Sequence, residues 1–270
     1  MPAAPVLPPH TLALPDGDVL HYTRMGRQGS PILLIHGSLC DYRYWRWQFE
    51  ALSQSHQVIA PSLRGCWPDT RPHPMAAYRT DRHADDLIHL VRQLGLQAGV
   101  HVLGHSRGAQ VAFEFARQAP DLCLSLTLAD PGFRFDDEPE TPPFYADTVR
   151  QLQAGAIDTA LQAFIDTVNG PDTWRRMVAW FKEMARDNAL TLISQIQEAN
   201  RAVRGADVSA LHCPVLLVGG SNSPAKYGNR QDRLQQWLPA ARRVRIALAA
   251  HGMNLANPRA FNKALMDFVA

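Results

Sequence analysis

One short run carries the residues best suited to covalent chemistry. Gly104-His105-Ser106-Arg107-Gly108 fits G-x-S-x-G, the pattern that presents a serine hydroxyl on a tight turn between a strand and a helix. Val100-His101-Val102-Leu103 before it reads as a short buried strand. Residues 109–117 after it read as a helix with apolar residues at helical spacing. So tight a turn strains the serine backbone, and the flanking glycines let strand and helix approach. The chemistry of such a serine is nucleophilic attack. It needs a base, a group that orients the base, and donors for the oxyanion.

His251 is the candidate base. It lies in Ala250-His251-Gly252-Met253-Asn254, just after a strand expected over residues 244–248, and is the last of eleven histidines. The carboxyl ends of strands are where ligands collect in a doubly wound sheet.

The elements that must position these groups alternate along the chain. Residues 11–24 read as two short strands around Pro15-Asp16-Gly17-Asp18. Residues 31–35 form a continuous apolar run, typical of a parallel strand buried on both faces, and end in His36-Gly37-Ser38. A helix carrying Trp45, Phe49 and Leu52 follows, then a strand over 57–60, a loop over 61–74, and a helix over 78–94 closed by Gly95. Past the elbow a strand is expected over 122–129. From 136 to 205 the alternation stops, and helical patterns carry Phe164, Trp174, Met177, Trp180, Phe181 and Met184. A strand over 214–219, a helix around 232–238, the strand before His251 and a helix from Pro258 complete the chain. This pattern implies an α/β fold with a doubly wound, mostly parallel sheet covered on both faces. Residues 1–135 and 206–270 would form its core, and 136–205 an inserted all-helical lid over the strand ends. Trp174, Trp180 and Phe181 either line an acyl pocket under that lid or form its own core.

Taken in order, His36-Gly37-Ser38, Arg64-Gly65, the Ser106 elbow and His251 resemble the α/β-hydrolase superfamily, in its serine-esterase branch with a helical lid, over nearly all of the chain. The resemblance implies Ser106 as nucleophile, His251 as base and the backbone N–H of Arg107 as one oxyanion donor. The second donor would come from the loop after the strand at 31–35. The match puts it at Ser38, with Leu39 one residue further as the alternative.

The acid departs from the commonest pattern. Where many members carry a Gly-x-x-Asp turn, this chain reads Gly220-Ser221-Asn222-Ser223-Pro224, with Ser223 at the aspartate position. A hydroxyl stabilises an imidazolium less than a buried carboxylate does. Some relatives, haloalkane dehalogenases among them, place the acid after the preceding strand. That position holds Asp130, 24 residues beyond Ser106. Asp130 is therefore the candidate orienting acid, and a structural aspartate in the turn before Pro131-Gly132 is the alternative. Asp232 falls within an expected helix, in the wrong place. The usual Asp-x-Arg-Gly loop reads Ser62-Leu63-Arg64-Gly65, so the ion pair of that aspartate is expected to be missing. Arg107 replaces a small or apolar residue. It either points into the pocket to hold a substrate carboxylate or packs away against protein groups. A serine nucleophile argues against dehalogenase chemistry, which needs a carboxylate.

Composition sets the outer bounds. A length of 270 residues suits one large α/β domain or a core plus one insertion. The chain is 46% apolar and 19% charged, as in ordinary globular proteins, and its net charge of +2 is too small to argue for nucleic acid or an acidic membrane surface. Arg242, Arg243 and Arg245 read as solvated surface flanking a strand. Cys40, Cys66, Cys123 and Cys213 are scattered without C-x-x-C spacing, which fits free thiols in a reducing compartment and supports neither a zinc site nor a disulfide framework. Residues 1–10 lack a basic start and an apolar run, no stretch approaches the roughly 18 apolar residues of a membrane span, and a cytoplasmic location is expected. His83, Asp85, Asp86 and His89 share a helix without His-x-x-x-His spacing and read as surface or capping residues. No cofactor and no metal are expected. The expected partner is a small-molecule substrate, without nucleic acid or membrane, and a homodimer is left open. The leading expectation is a cofactor-independent serine hydrolase cleaving a small ester, thioester or lactone through an acyl-enzyme. The alternatives are a carbon–carbon bond hydrolase of diketone-like ring-cleavage products and a non-catalytic member that binds a small ligand.

Overall fold

The computed structural model describes residues 8–69, 71–139, 142–196 and 202–270. Eight strands build one sheet: β1 (His10–Ala13), β2 (Val19–Met25), β3 (Ile32–Ile35), β4 (Val58–Pro61), β5 (Val100–His105), β6 (Cys123–Ala129), β7 (Val215–Gly220) and β8 (Arg242–Ile246). Their spatial order is β1-β2-β4-β3-β5-β6-β7-β8. The pairs β1–β2 and β2–β4 are antiparallel and all others parallel. The described helices are α1 (Phe49–Leu52), α2 (Thr80–Gln93), α3 (Arg107–Gln118), α4 (Ala146–Gln153), α5 (Ile157–Asn169), α6 (Thr173–Arg176), α7 (Ala179–Asp187), α8 (Thr191–Ile196), α9 (Gly205–Ser209), α10 (Ala225–Trp237), α11 (Met253–Ala256) and α12 (Pro258–Val269).

The apolar run of β3 explains the two-sided cover. Alternation sends Ile32 and Leu34 into one apolar cluster, with Trp45, Phe49 and the α12 residues Phe261 and Leu265. Leu33 and Ile35 enter the opposite cluster, with Leu87 and Leu90 of α2 and Phe113 of α3. Helices on both faces leave the carboxyl ends of β5, β6, β7 and β8 side by side, and there the site residues emerge.

Three expectations need correction. The helix around Trp45 is a 3₁₀ turn, Tyr42–Trp45, followed by the single turn of α1, because Asp41 caps the tighter turn by accepting from the Arg43 N–H. The helix expected around 232–238 begins at Ala225. Only Tyr227, Gln231 and Leu234 are buried on it, so its polar face hides the periodicity. β8 starts two residues early, at Arg242, since an edge strand tolerates the charged residues that masked it.

The surface role expected for His83 and Asp86 is also wrong. At positions i, i+3 and i+4, His83, Asp86 and Leu87 share the inner face of α2 and are buried; Asp85 alone is exposed and His89 is half-buried. Asp86 accepts from Arg64 Nε at 2.9 Å and Nη2 at 2.7 Å, and Arg64 also pairs with Asp16 and Asp18. The arginine that lost its usual loop aspartate thus draws carboxylates from α2 and from the β1–β2 turn.

Between β6 and β7 the described residues hold α4 to α9 and one isolated bridge, Phe135 to Val203. Within the expected 136–205 insertion, residues 140–141 and 197–201 lie outside the described residues, as do residues 1–7 of the proline-rich start. Polar contacts tie this helical segment to the loops below it. Asn188 Nδ2 donates to Asp41 Oδ2 at 2.7 Å, and Ser38 Oγ donates to Gln195 Oε1 at 2.8 Å. The four cysteines are free thiols, and Cys123 and Cys213 approach to 3.7 Å between sulfurs. Among the described residues no helix is long and apolar enough to cross a membrane.

Candidate active site

Ser106 occupies the turn between β5 and α3 with φ 56° and ψ −121°, a conformation that costs a non-glycine residue strain. The sheet holds it there. The Ser106 N–H donates to the Ala129 carbonyl at 2.9 Å, and its own carbonyl accepts from the Gly132 N–H at 3.0 Å. A Cβ on Gly104 would sit 2.2 Å from the Gly108 carbonyl oxygen, and one on Gly108 would sit 2.3 Å from that of His36. Strand, turn and helix are that close, so only glycine fits at either position.

Asp130 follows β6, the strand next to β5. Its N–H donates to the Val218 carbonyl at 2.9 Å, and its φ is 40°. The side chain is buried and its oxygens are fully engaged. Oδ2 accepts from Ser223 Oγ at 2.5 Å and faces His251 Nδ1 at 3.3 Å, while Oδ1 accepts from Gln231 Nε2 at 3.2 Å. Burial pushes its carboxyl up, to about 7, and the Ser223 hydrogen bond is the first of the effects that oppose that rise. The sequence placed Ser223 at the usual acid position. Here its hydroxyl donates to Asp130, which follows the neighbouring strand.

His251 lies five residues past the end of β8 and is buried. Burial, helped by the charges of Lys226 and Arg230, holds its imidazole down to about 3, so the ring is neutral at pH 7. With Nδ1–H directed at Asp130, the lone pair rests on Nε2. The ring stacks on Tyr227 at 4.1 Å and 15°, and His105 lies 4.6 Å away. His105 Nε2 also donates to the His251 carbonyl at 2.8 Å, fixing the backbone that carries this imidazole. Nothing in the sequence marked Gln231, Tyr227 or His105 for these contacts. Gln231 and Tyr227 share a turn of a helix whose start was itself hidden.

Ser106 sits at the junction of two spaces. A small cavity of about 40 Å³ is bordered by Ser38, Ser106, His251, Phe164 and Phe181. A cleft of about 870 Å³ is bordered by Ser38, Ser106, Arg107, Tyr145 and Tyr227. Ser38 faces both spaces with its hydroxyl already given to Gln195, whereas Leu39 packs into the apolar core with φ 62°. Arg107 is largely buried. Its guanidinium stands 4.8 Å over the Tyr78 ring and donates to the Tyr78 carbonyl at 3.5 Å, so it takes the packed alternative while its residue still borders the cleft. Of the three aromatics, Phe181 lines the small cavity. Trp174 is buried within the helical segment, and Trp180 lies 4.3 Å from the Arg46 guanidinium. Asp232 points outward to Arg243, far from this role.

His36 reinforces the loop that ends in Ser38. Its Nδ1–H donates to the Gly37 carbonyl at 2.8 Å and its Nε2 accepts from the Leu63 N–H at 2.9 Å, an arrangement that requires a neutral ring. Burial holds that ring's pKa down to about 3.

A strand-end serine on a strained elbow, beside a buried imidazole that faces a carboxylate, is the arrangement of a hydrolase of the doubly wound class. Residues 30–258 match the family model described as the alpha/beta hydrolase fold, and the chain belongs to that family. Among its relatives, a soluble epoxide hydrolase of Corynebacterium sp. (strain C12) is 36% identical over 121 residues, spanning 45% of this chain and only 41% of that enzyme. A protein of Agrobacterium fabrum (strain C58 / ATCC 33970) that carries the provisional name carbamate hydrolase RutD is 25% identical over 93% of this chain and 98% of its own. Among solved structures, the enol-lactonase from Burkholderia xenovorans LB400 superposes with a TM-score of 0.81 at 21% identity, over 96% of this chain and 99% of that one. That last likeness speaks to the fold.

Proposed function

We propose that this hydrolase is a cofactor-independent serine enzyme that cleaves a small ester, thioester or lactone through an acyl-enzyme. The observation that carries the reading is the hydrogen-bonding distance between His251 Nδ1 and Asp130 Oδ2, 3.3 Å, beside Ser106 on the elbow. In this reading His251 Nε2 takes the Ser106 proton as the hydroxyl attacks the carbonyl, then returns it to the leaving group. Asp130 holds the imidazole in the Nδ1–H tautomer and stabilises the imidazolium. The backbone N–H groups of Ser38 and Arg107 receive the oxyanion. Water, activated by the same imidazole, then releases the acid. Serine also favours acyl transfer over epoxide opening, because attack on an epoxide would leave an ether that the site has no means to hydrolyse.

The described helices α4 to α9 serve as the lid, and their hold on Ser38 through Gln195 couples lid position to the oxyanion loop. Four free thiols suit a reducing compartment and support a cytoplasmic location in this reading. The test is labelling with a fluorophosphonate followed by peptide mapping. Adduct on Ser106, and a fall in turnover on the order of 10⁴–10⁶ in Ser106→Ala, are expected. A Ser106→Ala enzyme that keeps most of its ester turnover would overturn the assignment.

A further inference from the structure

The cleft beside Ser106 is basic to a degree the weak net charge conceals. Four of the described residues on its wall are cationic, Arg107, Arg134, Lys226 and Arg230, against one carboxylate, Glu138. Two of the four have other work. Arg107 is held by Tyr78, and Arg134 Nη1 donates to the Phe135 and Glu138 carbonyls at 3.3 Å and 2.7 Å. Lys226 and Arg230 differ. They sit four residues apart on α10, hence on one face, and Tyr227 between them stacks on the base.

Neither has a carboxylate partner among the described residues. Lys226 Nζ instead stands 4.6 Å over the Phe144 ring and 5.1 Å from that of Tyr227, while Arg230 Nε is buried with no hydrogen-bond partner. Their placement is electrostatically unfavourable as it stands. Lys226 lies in the first turn of a helix of 13 residues, at the positive end of the dipole, with no acidic residue in that turn to offset it. The other arginine of α10, Arg233, pairs with Asp137, and neither borders the cleft. Two cations on one face of α10, half-buried and without a carboxylate partner among the described residues, fit a substrate that brings a negative charge.

We propose that the substrate is an acyl compound bearing a second, anionic carboxylate, and that Lys226 and Arg230 bind it while its ester, thioester or lactone carbonyl lies at Ser106. This deepens the serine-hydrolase reading and rests on it. The two cations are specificity-determining residues. A neutral acyl substrate leaves them desolvated and unpaired, so it is rejected, and a charge-assisted contact of this kind is worth about ten- to a hundredfold in kcat/KM.

The experiment compares mono-4-nitrophenyl glutarate, which carries a free carboxylate, with its methyl-capped neutral counterpart. The wild type is expected to favour the anionic ester by about tenfold or more, and the preference should shrink as salt rises. In Lys226→Met/Arg230→Gln the ratio should fall close to one, whereas Arg233→Gln, outside the cleft, should preserve it. Equal turnover of the two esters by the wild type, or a preference that survives the double substitution, overturns the proposal and leaves the hydrolase reading intact. Should neither ester turn over and no fluorophosphonate reach Ser106, the hydrolase reading fails instead. Calorimetric titration of the Ser106→Ala protein with glutarate and with glutaramide then decides the anion site separately. Binding of glutarate alone, lost in the double variant, sustains it, and absence of glutarate binding overturns it.

Discussion

The substitution Asp130→Asn tests the relocated acid most directly, because the surrounding hydrogen bonds dictate how an amide would sit. Gln231 Nε2 donates both to Asp130 Oδ1 at 3.2 Å and to the Val218 carbonyl at 2.8 Å, and Gln231 Oε1 accepts from Arg243 Nε at 3.3 Å. The orientation of that glutamine is therefore set. An asparagine cannot point its NH₂ at Gln231 Nε2 without opposing two donors, so its oxygen must take the Oδ1 place and its NH₂ the Oδ2 place. There the NH₂ faces Ser223, which can accept, and His251 Nδ1, which can accept only by giving up its proton. The imidazole is thus driven to the Nε2–H tautomer, whose protonated nitrogen faces Ser106 and cannot receive its proton. A wrong tautomer at this position costs about 10³–10⁴ in kcat. That is about 4–5 kcal/mol of lost transition-state stabilisation at 1.36 kcal/mol per decade.

The assay is the rate of fluorophosphonate labelling alongside ester turnover, with Tm measured on the same samples. A slowing of 10³-fold or more with a modest change in Tm is the expected result. An additional Ser223→Asp change should restore part of the rate, since Ser223 Oγ lies only 2.5 Å from Asp130 Oδ2 and a carboxylate there can reach His251. If Asp130→Asn labels within about tenfold of wild type while Tm drops, Asp130 is a turn residue and the reasoning is refuted.

Three further outcomes follow from the same contacts. Ser223→Ala removes a donor that favours the carboxylate form, so the Asp130 carboxyl rises further, and the acid limb of the kcat/KM profile should move to higher pH; an unmoved limb would separate Ser223 from the acid. Acid stability should be governed by buried neutral histidines. Burial lowers His36, His83, His105 and His251 below the unfolded value of 6.5, so the unfolded chain binds more protons and stability falls as pH drops below about 6.5, by roughly 1.4 kcal/mol per pH unit for each group, with the raised Asp130 carboxyl offsetting about one group's share. Urea titrations between pH 7 and 5 check this, and a flat response would contradict it. Arg64→Met should cost about 3–5 kcal/mol in urea unfolding, because it leaves the buried Asp86 carboxylate with only the longer 3.7 Å contact to Arg82, and a loss under about 1 kcal/mol would show the pair to be dispensable.

Part of this site is legible in sequence for reasons that are themselves structural. The elbow could be read because a serine at φ 56° between β5 and α3 needs glycines at 104 and 108, where a Cβ would collide with backbone. The β3 strand could be read because burial on both faces leaves four consecutive apolar residues. What stayed hidden was carried by polar residues whose partners are remote in sequence. Asp86 looked like surface because its partner, Arg64, lies 22 residues earlier, and α10 was half missed because a single narrow stripe of it is buried. The vacant acid position resolves in the same terms. β6 and β7 are neighbouring parallel strands with Ala129 opposite Val218, so a side chain at 130 and one at 223 converge on the same oxygen-sized space beside His251. In the proposed mechanism a carboxylate belongs in that space, and either strand is placed to deliver it. Once β6 supplies Asp130, a second carboxylate at 223 would raise the cost of ionising either, and a hydroxyl that donates to the first is the compatible residue.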